Sequence, residues 1–296
     1  MRVSVIIPNY NHAQYLDERL RSVLNQTYQD FEVIILDDCS TDDSKAVIEK
    51  YRGNEHISQI VYNEQNSGST FKQWDKGLSL AKADIVWIAE SDDSCDTRFL
   101  EKLVPLHIKE NNVITFARSQ RMDENGNLLE TFHNEIMSGS WQGKDFLEAF
   151  LGRYNIVMNA SSAIFDKKVA LSIDPQYKTF KGSGDWLFWI EMAEKGSVSF
   201  VGEALNYFRK HGENSTEKFY SNGVDFTEDK RIFDYLTSHN LISPNTAKMI
   251  RRGNLSLFKE YPFDSEEVRE RVLECWDFTP KERMRYKLAN LFHKLV

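Results

Sequence analysis

Four short apolar runs, spaced by stretches with helical periodicity, constrain this chain more than any other feature. Residues 3–7, 31–36, 57–62 and 84–89 each read as a buried strand. Between them, Leu16, Leu20, Val23 and Leu24 place one apolar face on a helix over about 14–25, Ala46, Val47 and Tyr51 mark a second helix, and a third runs to about Ala81. Ser40 or Thr41 is placed to cap the second. The first run stops at Pro8-Asn9-Tyr10-Asn11-His12, a turn-forming cluster. Strand–helix–strand units at this spacing require right-handed crossovers, and hence a parallel sheet covered by helices on both faces. Ligands of such sheets bind beyond the carboxyl ends of the strands. Residues 8–11, Asp37-Asp38, 66–69 and 90–93 should therefore open onto one edge.

The fourth run ends in Glu90-Ser91-Asp92-Asp93, three carboxylates within four residues. Such groups repel one another unless a cation or ligand offsets them, so a divalent-metal site fits; a solvated loop or the N-cap of a helix through Phe99 and Leu100 fits equally well. No G-x-G-x-x-G follows residues 3–7 and there is no P-loop, so a phosphate-bearing ligand must be held by a metal and side chains. Tyr10 can stack on a nucleobase or pack on the neighbouring loop. Asp38 can accept an imide N–H, whereas Asp37 reads as orienting its loop. Lys72, at a helix start, is either a phosphate contact or solvated.

The 296-residue chain has room for one large α/β domain with a smaller appendage. A net charge of -8 argues against nucleic acid, whose backbone needs a basic face. Three cysteines without CxxC spacing suggest neither a disulfide framework nor a zinc site, and a reducing compartment is the simpler expectation. The N-terminus enters a strand at once, too soon for a signal peptide, and no apolar stretch is long enough to span a membrane. Beyond Asp93 the pattern expects a helix over 99–108, a strand over 113–116, an Asn-Gly hairpin tip at 123–127, a short helix over 141–151 and a strand over 161–165. An amphipathic helix over 186–193 follows the loop Gly182-Ser183-Gly184-Asp185, and from about Gly223 the chain reads as helical.

Several ordered motifs carry a resemblance. Val3-Ser4-Val5-Ile6-Ile7-Pro8-Asn9-Tyr10-Asn11, then Ser22-Val23-Leu24-Asn25-Gln26-Thr27-Tyr28, then Ile35-Leu36-Asp37-Asp38-Cys39-Ser40-Thr41-Asp42 resemble the opening of a family 2 glycosyltransferase. Asn66-Ser67-Gly68 through Gly77 and Glu90-Ser91-Asp92-Asp93 match its next landmarks in order, and weaker ones continue to about Ser215. The resemblance implies an α/β GT-A fold, Rossmann-like, with a mostly parallel, mixed sheet flanked by helices. Its catalytic domain would cover 1–222, with a nucleotide-binding half over about 1–111 and an acceptor half over about 112–222, followed by a helical C-terminal extension over 223–296. The implied activity is inverting transfer of a sugar from a nucleotide diphosphate sugar, a UDP-sugar first, to a glycan or lipid-linked hydroxyl acceptor, with Mn²⁺ or Mg²⁺.

By the same resemblance Pro8 and Tyr10 flank the nucleobase, Asp38 bonds it, and Asn11, Asn66, Gly68, Lys72, Glu90 and Ser91 belong to the nucleotide-sugar site. Asp92 and Asp93 match the end of the metal-binding D-x-D segment, with Glu90 where its first Asp is common. The catalytic base falls on Asp185, although the usual Glu-Asp pair reads Gly184-Asp185 here. Such a carboxylate beside Trp186 would be partly desolvated, and an attacking hydroxyl must lose its proton; capping the helix that follows is a compatible role. Arg209-Lys210-His211-Gly212-Glu213-Asn214-Ser215 resembles the late R-x-H-x-x-N-S segment, which assigns Arg209 and His211 to the leaving diphosphate.

The setting implied by the resemblance is glycan synthesis at a bacterial-type cell surface by a cytoplasmic protein, which can also be peripheral on the inner face of the plasma membrane. Residues 281–296 form a basic amphipathic stripe that can lie on an anionic membrane, or pack on its own protein or a second copy in a homo-oligomer. Two other readings remain: a sugar-phosphate nucleotidyltransferase, which wants a Gly- and Arg-rich loop after the first strand that Asn9-Tyr10-Asn11-His12 does not offer, and a catalytically silent sugar-nucleotide-binding homologue.

Overall fold

A computed structural model describes residues 2–132, 136–212 and 219–284. The first half is the expected alternation: β1 (Val3–Asn9), α1 (Ala13–Leu24), β2 (Phe31–Asp37), α2 (Ser44–Glu49), β3 (Ile57–Tyr62), α3 (Thr70–Leu80) and β4 (Ile85–Ile88). These strands lie parallel in the order β3-β2-β1-β4. β1 runs through Pro8, which pairs with Leu36; the β1–β4 ladder has already ended at Ile6 and Ile88, so the missing N–H breaks no bond on that side. α2 starts at Ser44 rather than after Ser40 or Thr41, because the Ser40 hydroxyl is occupied in accepting the Asn11 N–H.

The sheet then turns mixed. β5 (Ser94–Cys95), α4 (Phe99–Lys109), β6 (Asn112–Met122), β7 (Leu128–Thr131) and β8 (Gly139–Gln142) lead into α5 (Gly143–Phe146). A π turn over Leu147–Leu151 follows, so the expected helix over 141–151 is divided between a strand end and two short turns. β9 (Ala163–Asp166) is antiparallel to both β4 and β6, and it joins the two halves. After α6 (Lys167–Ala170) comes α7 (Gly184–Ala193). Every residue from Leu187 to Ala193 is buried, since α7 lies between β6 on one side and the 143–151 and 167–179 segments on the others. It is a core helix, not an amphipathic one.

β10 (Ser197–Arg209), which the sequence pattern does not announce, runs parallel to β6 and carries β5 on its far side. Register shifts around Val201, Ala204 and Asn206 break the period-2 alternation that would have marked it as a strand. The sheet is buried on both faces. Ile6, Ile34, Leu36, Val86 and Ile88 face one core with α3 and α7; Val5, Ile7, Val33, Ile35 and Trp87 face the other with α1 and α4.

The C-terminal helices α8 (Val224–Ser238), α9 (Pro244–Glu260) and α10 (Glu266–Cys275) bring Phe226, Ile232, Phe233, Phe258 and Trp276 into the first of these cores. Their packing on the sheet domain is therefore continuous apolar contact. Among the described residues no helix is long and apolar enough to cross a membrane. Most of the 281–296 stripe lies outside the described residues.

Candidate active site

The acidic run leaves the sheet between β4 and β5, and the β5–β10 pairing draws the end of β10 alongside it. Beneath it sits Arg19 of α1, fully buried, a cation on the apolar Leu16–Leu20–Val23 stripe. Its Nε donates to the Glu90 carbonyl at 2.8 Å and its Nη2 lies 3.7 Å from Asp93. Asp93 is 1% exposed and saturated: Asn159 Nδ2 and Ser161 Oγ donate to Oδ2 at 2.9 and 2.7 Å, and the Arg209 N–H to Oδ1 at 3.0 Å. Burial, with the Asp92 charge beside it, raises its pKa to about 6, although Arg19 and these donors oppose the rise.

Its neighbours differ. Burial lifts Glu90 to about 8, with the Asp92 charge adding, while Trp74 Nε1 donates to Oε1 at 2.8 Å. Asp92 is also desolvated, but the His211 hydrogen bond and the imidazoles of His12 and His211 outweigh that effect and hold it below the usual carboxylate range. The Asp92 carboxylate is thus the one held below the usual range.

His12, Asp92 and His211 each offer a ligand atom within 4.8 Å of the others. Asp92 Oδ2 lies 3.1 Å from His211 Nε2, and His12 Nδ1 is tied to Ser91 Oγ at 2.8 Å, which leaves its Nε2 available. Two imidazoles with one carboxylate fit a divalent transition ion such as Mn²⁺, whereas Mg²⁺ prefers oxygen donors throughout. The structure thus groups Asp92 with two imidazoles and turns Asp93 inward as a support.

Arg209 is likewise turned inward. Its Nε donates to the Asp92 carbonyl at 2.8 Å, its Nη1 to the carbonyls of Asp123 and Glu124 at 3.1 and 3.3 Å, and its Nη2 to Glu18 at 2.5 Å. It braces the hairpin and the acidic run rather than facing the edge where a diphosphate would lie. Glu213, Asn214 and Ser215 lie outside the described residues.

The loops at the ends of β1 and β2 meet as the topology requires. Tyr10 is 46% exposed just past β1, open for stacking. Asn11 holds a left-handed φ of 55° and accepts the Thr41 N–H at 2.7 Å, locking the two loops together. Asp37 accepts from Asn9 and from the Ser40 N–H, the orienting role read from sequence.

Asp38 is placed differently from its expected role. Asn63, Gln73, the Ser67 N–H and the Ser67 hydroxyl all donate to it, at 2.6, 2.9, 3.0 and 2.7 Å. That set uses the acceptor capacity of a carboxylate, so Asp38 shapes the 63–68 loop in this structure. Asn66 accepts the Gly68 N–H, Gly68 takes φ 71°, and Lys72 Nζ, exposed, donates to the Ser67 carbonyl at 2.9 Å. Pro8 lies at the β1 end among them.

Asp185 opens onto a separate cleft of about 620 Å³, whose wall includes Thr70, Asn155, Trp186, Asp225 and Asp229. Thr70 also reaches Glu90 Oε1 at 3.5 Å, so this cleft adjoins the acidic run. Asp185 lies in the first turn of α7, where Asn155 Nδ2 and the Trp186 N–H each donate to it at 2.8 Å; burial raises its pKa to about 6. Gly184 admits no side chain, since a Cβ there would fall 2.5 Å from the Phe71 ring and 2.6 Å from the Tyr177 carbonyl oxygen.

His12, Arg19, Asp225 and Asp229 were not singled out from sequence. For Arg19 there was one signal, a cation on an apolar helical stripe; the others reach the site only through folding.

Comparison with known proteins agrees with this geometry. Residues 4–170 match the family described as glycosyl transferase family 2. An uncharacterized glycosyltransferase, alr2836, of Nostoc sp. is 27% identical over 320 residues, covering 99% of this chain and 95% of that one. The Staphylococcus aureus poly(ribitol-phosphate) beta-N-acetylglucosaminyltransferase TarP is 33% identical over 197 residues, 64% of this chain and 57% of TarP, so the match spans little more than half of that relative. The crystal structure of S. aureus TarS 1-349 in complex with UDP-GlcNAc superposes with a TM-score of 0.69 at 19% identity, covering 93% of this chain and 80% of that one. It shares the GT-A fold.

Proposed function

The chain belongs to the family 2 glycosyltransferases, and from that premise we propose that it moves a sugar from a UDP-sugar, an N-acetylhexosamine donor first, to a hydroxyl of a glycan or lipid-linked acceptor with inversion. The observation that carries this reading is the adjacency of two unlike centres. Asp92 with its two imidazoles stands at the strand ends, and a desolvated carboxylate, Asp185, stands in the adjoining cleft. TarP's name and the UDP-GlcNAc complex of TarS support the donor class and a role in surface polysaccharide.

In this reading Asp92, His12 and His211 would hold Mn²⁺, which when bound would supply positive charge for the departing diphosphate. Tyr10 stacks on the base, while the loops around Asn11 and Gly68 line the nucleotide. Asp185 takes the acceptor proton as the hydroxyl oxygen bonds the anomeric carbon from the face opposite the diphosphate, whose bond breaks with its electron pair. Arg19, Asp93 and Arg209 position the acidic run. Residues 1–222 carry the donor and catalytic groups, and the helices over 224–275 form the extension. The enzyme then works on the cytoplasmic face, where nucleotide sugars are available.

A thermal-shift screen of nucleotide sugars with and without Mn²⁺ tests the reading, since a ligand of the folded state raises its stability. A cognate UDP-sugar should stabilise the chain more with Mn²⁺ than without. Pyrophosphate as the product would instead show a nucleotidyltransferase. Stabilisation by a sugar nucleotide without transfer or slow hydrolysis of it would show a catalytically silent homologue.

A further inference from the structure

About a third of the lining of the cleft beside Asp185 comes from the C-terminal extension. α8 supplies Asp225 and Asp229, and Ile250 and Leu257 of α9 with Trp276, just past α10, close the far side. Glu228, between the two aspartates, accepts the N–H groups of Lys181, Gly182 and Ser183 at 2.7, 2.9 and 2.9 Å, binding α8 to the loop that begins α7. Gly182 permits this approach. A Cβ there would lie 1.8 Å from Asp225 Oδ1.

Asp225 is only 4% exposed, yet its Oδ1 has no hydrogen-bond partner among the described residues. Asp229 accepts the Ser183 hydroxyl at 3.1 Å. Burial, with the Glu228 and Asp185 charges adding, raises the pKa of Asp225 to about 7, and burial with the Asp225 charge raises that of Asp229 to about 8. Three carboxyls crowded around one cleft cost stability, and nothing in the packing requires them. The remaining wall is aromatic, with Phe132, Trp186 and Phe208 among its rings. The cations are peripheral: Arg121 is paired with Glu130 at 2.8 Å and lies over Phe132, while Arg153 and Lys181 are exposed at the rim.

We infer that Asp225 and Asp229 complete the acceptor subsite of Asp185 and select an uncharged, hydroxyl-rich sugar unit rather than a phosphodiester polyol. Sugar hydroxyls donate to ionised carboxylates and accept from protonated ones, while aromatic faces cover the apolar sugar face. A phosphate would meet the Asp185 carboxylate and the partly ionised Asp225, while Arg121, Arg153 and Lys181, which also line the cleft, stay paired or exposed at its rim. The inference rests on the glycosyltransferase reading and departs from what TarP's name says of its acceptor.

The test uses the full chain with the UDP-sugar selected by thermal shift, methyl β-glucoside and methyl β-N-acetylglucosaminide as neutral acceptors, and their 6-phosphates as charged ones. The native enzyme should use the neutral glycosides at least tenfold better in kcat/KM. Asp225→Asn and Asp229→Asn should each raise the acceptor KM about tenfold, the worth of about one hydrogen bond, with no matching rise in donor KM. Gly182→Ala, which displaces Asp225 without removing its charge, should do the same. Preference for the phosphorylated acceptors, or an acceptor KM within twofold of native in both aspartate variants, overturns the inference while leaving the transferase intact. A native chain that neither transfers nor hydrolyses any sugar nucleotide overturns the functional reading, and the inference with it.

Discussion

The acidic run at residues 90–93 and the carboxyls around Asp185 are comparably crowded, but only the first is built with its counter-charges. Arg19 lies beneath Asp93, two imidazoles face Asp92, and β10 delivers a backbone donor. The second has Asn155, Ser183 and backbone N–H groups, and its cations stay at the rim. In the first region only Asp92, beside the two imidazoles, is held below the usual carboxylate range, while buried Asp93 and Glu90 are raised; Asp185, with no cation against it, is raised to about 6 and can take a proton near neutrality. The difference separates the donor side of the reaction from the acceptor side.

Replacing Asp92 strikes the charged region hardest. Asp92→Ala should remove Mn²⁺-dependent thermal stabilisation and lower kcat by about 10³-fold; retention of both would show that the imidazoles and Asp92 hold no metal. Arg19→Met should leave Asp93 buried without its counter-charge and cost about 3 kcal/mol in urea unfolding. A loss near zero would mean that the donors to Asp93 suffice without the guanidinium.

On the other side, Asp185 must be ionised to accept a proton. With its pKa near 6, kcat/KM should fall about tenfold per unit below pH 6 and be flat above it. Asp185→Asn should abolish that limb and lower kcat by about 10²-fold, and full activity in this variant would discard the base assignment.

The smallest effect is on stability. Asp229, facing Asp225, Glu228 and Asp185, binds its proton more tightly folded than unfolded, so its contribution is present at low pH and is lost as pH rises toward about 8. Asp229→Asn should therefore raise Tm at pH 8 by about 2–4 °C and leave it unchanged at pH 4. A lower Tm at pH 8 would break the contrast between the two regions.

Much of the first half was legible because each strand there is short, apolar and bounded by turn residues, which local pattern alone can mark. β10 was not, since its bulges erase alternation, and α7 looked amphipathic although tertiary packing surrounds it. The site divides in the same way. Glu90, Asp92 and Asp93 stood out as charge at a strand end, but their separate roles depend on which oxygen meets which donor. Asp38 looked ligand-facing because its partners, Asn63, Ser67 and Gln73, come from a loop and helix 25 to 35 positions away. His12 carries no local signature at all.

What the sequence determined by itself is the alternating parallel half of the sheet, the edge where its loops gather and the family to which the motifs belong, because these follow from periodicity and ordered spacing. Tertiary structure alone decided that Asp92 faces outward with His12 and His211 while Asp93 faces inward. It also decided that α8 carries two carboxyls to Asp185. Ionisation and exposure depend on long-range neighbours and solvent access, and neither is encoded in any one stretch of chain.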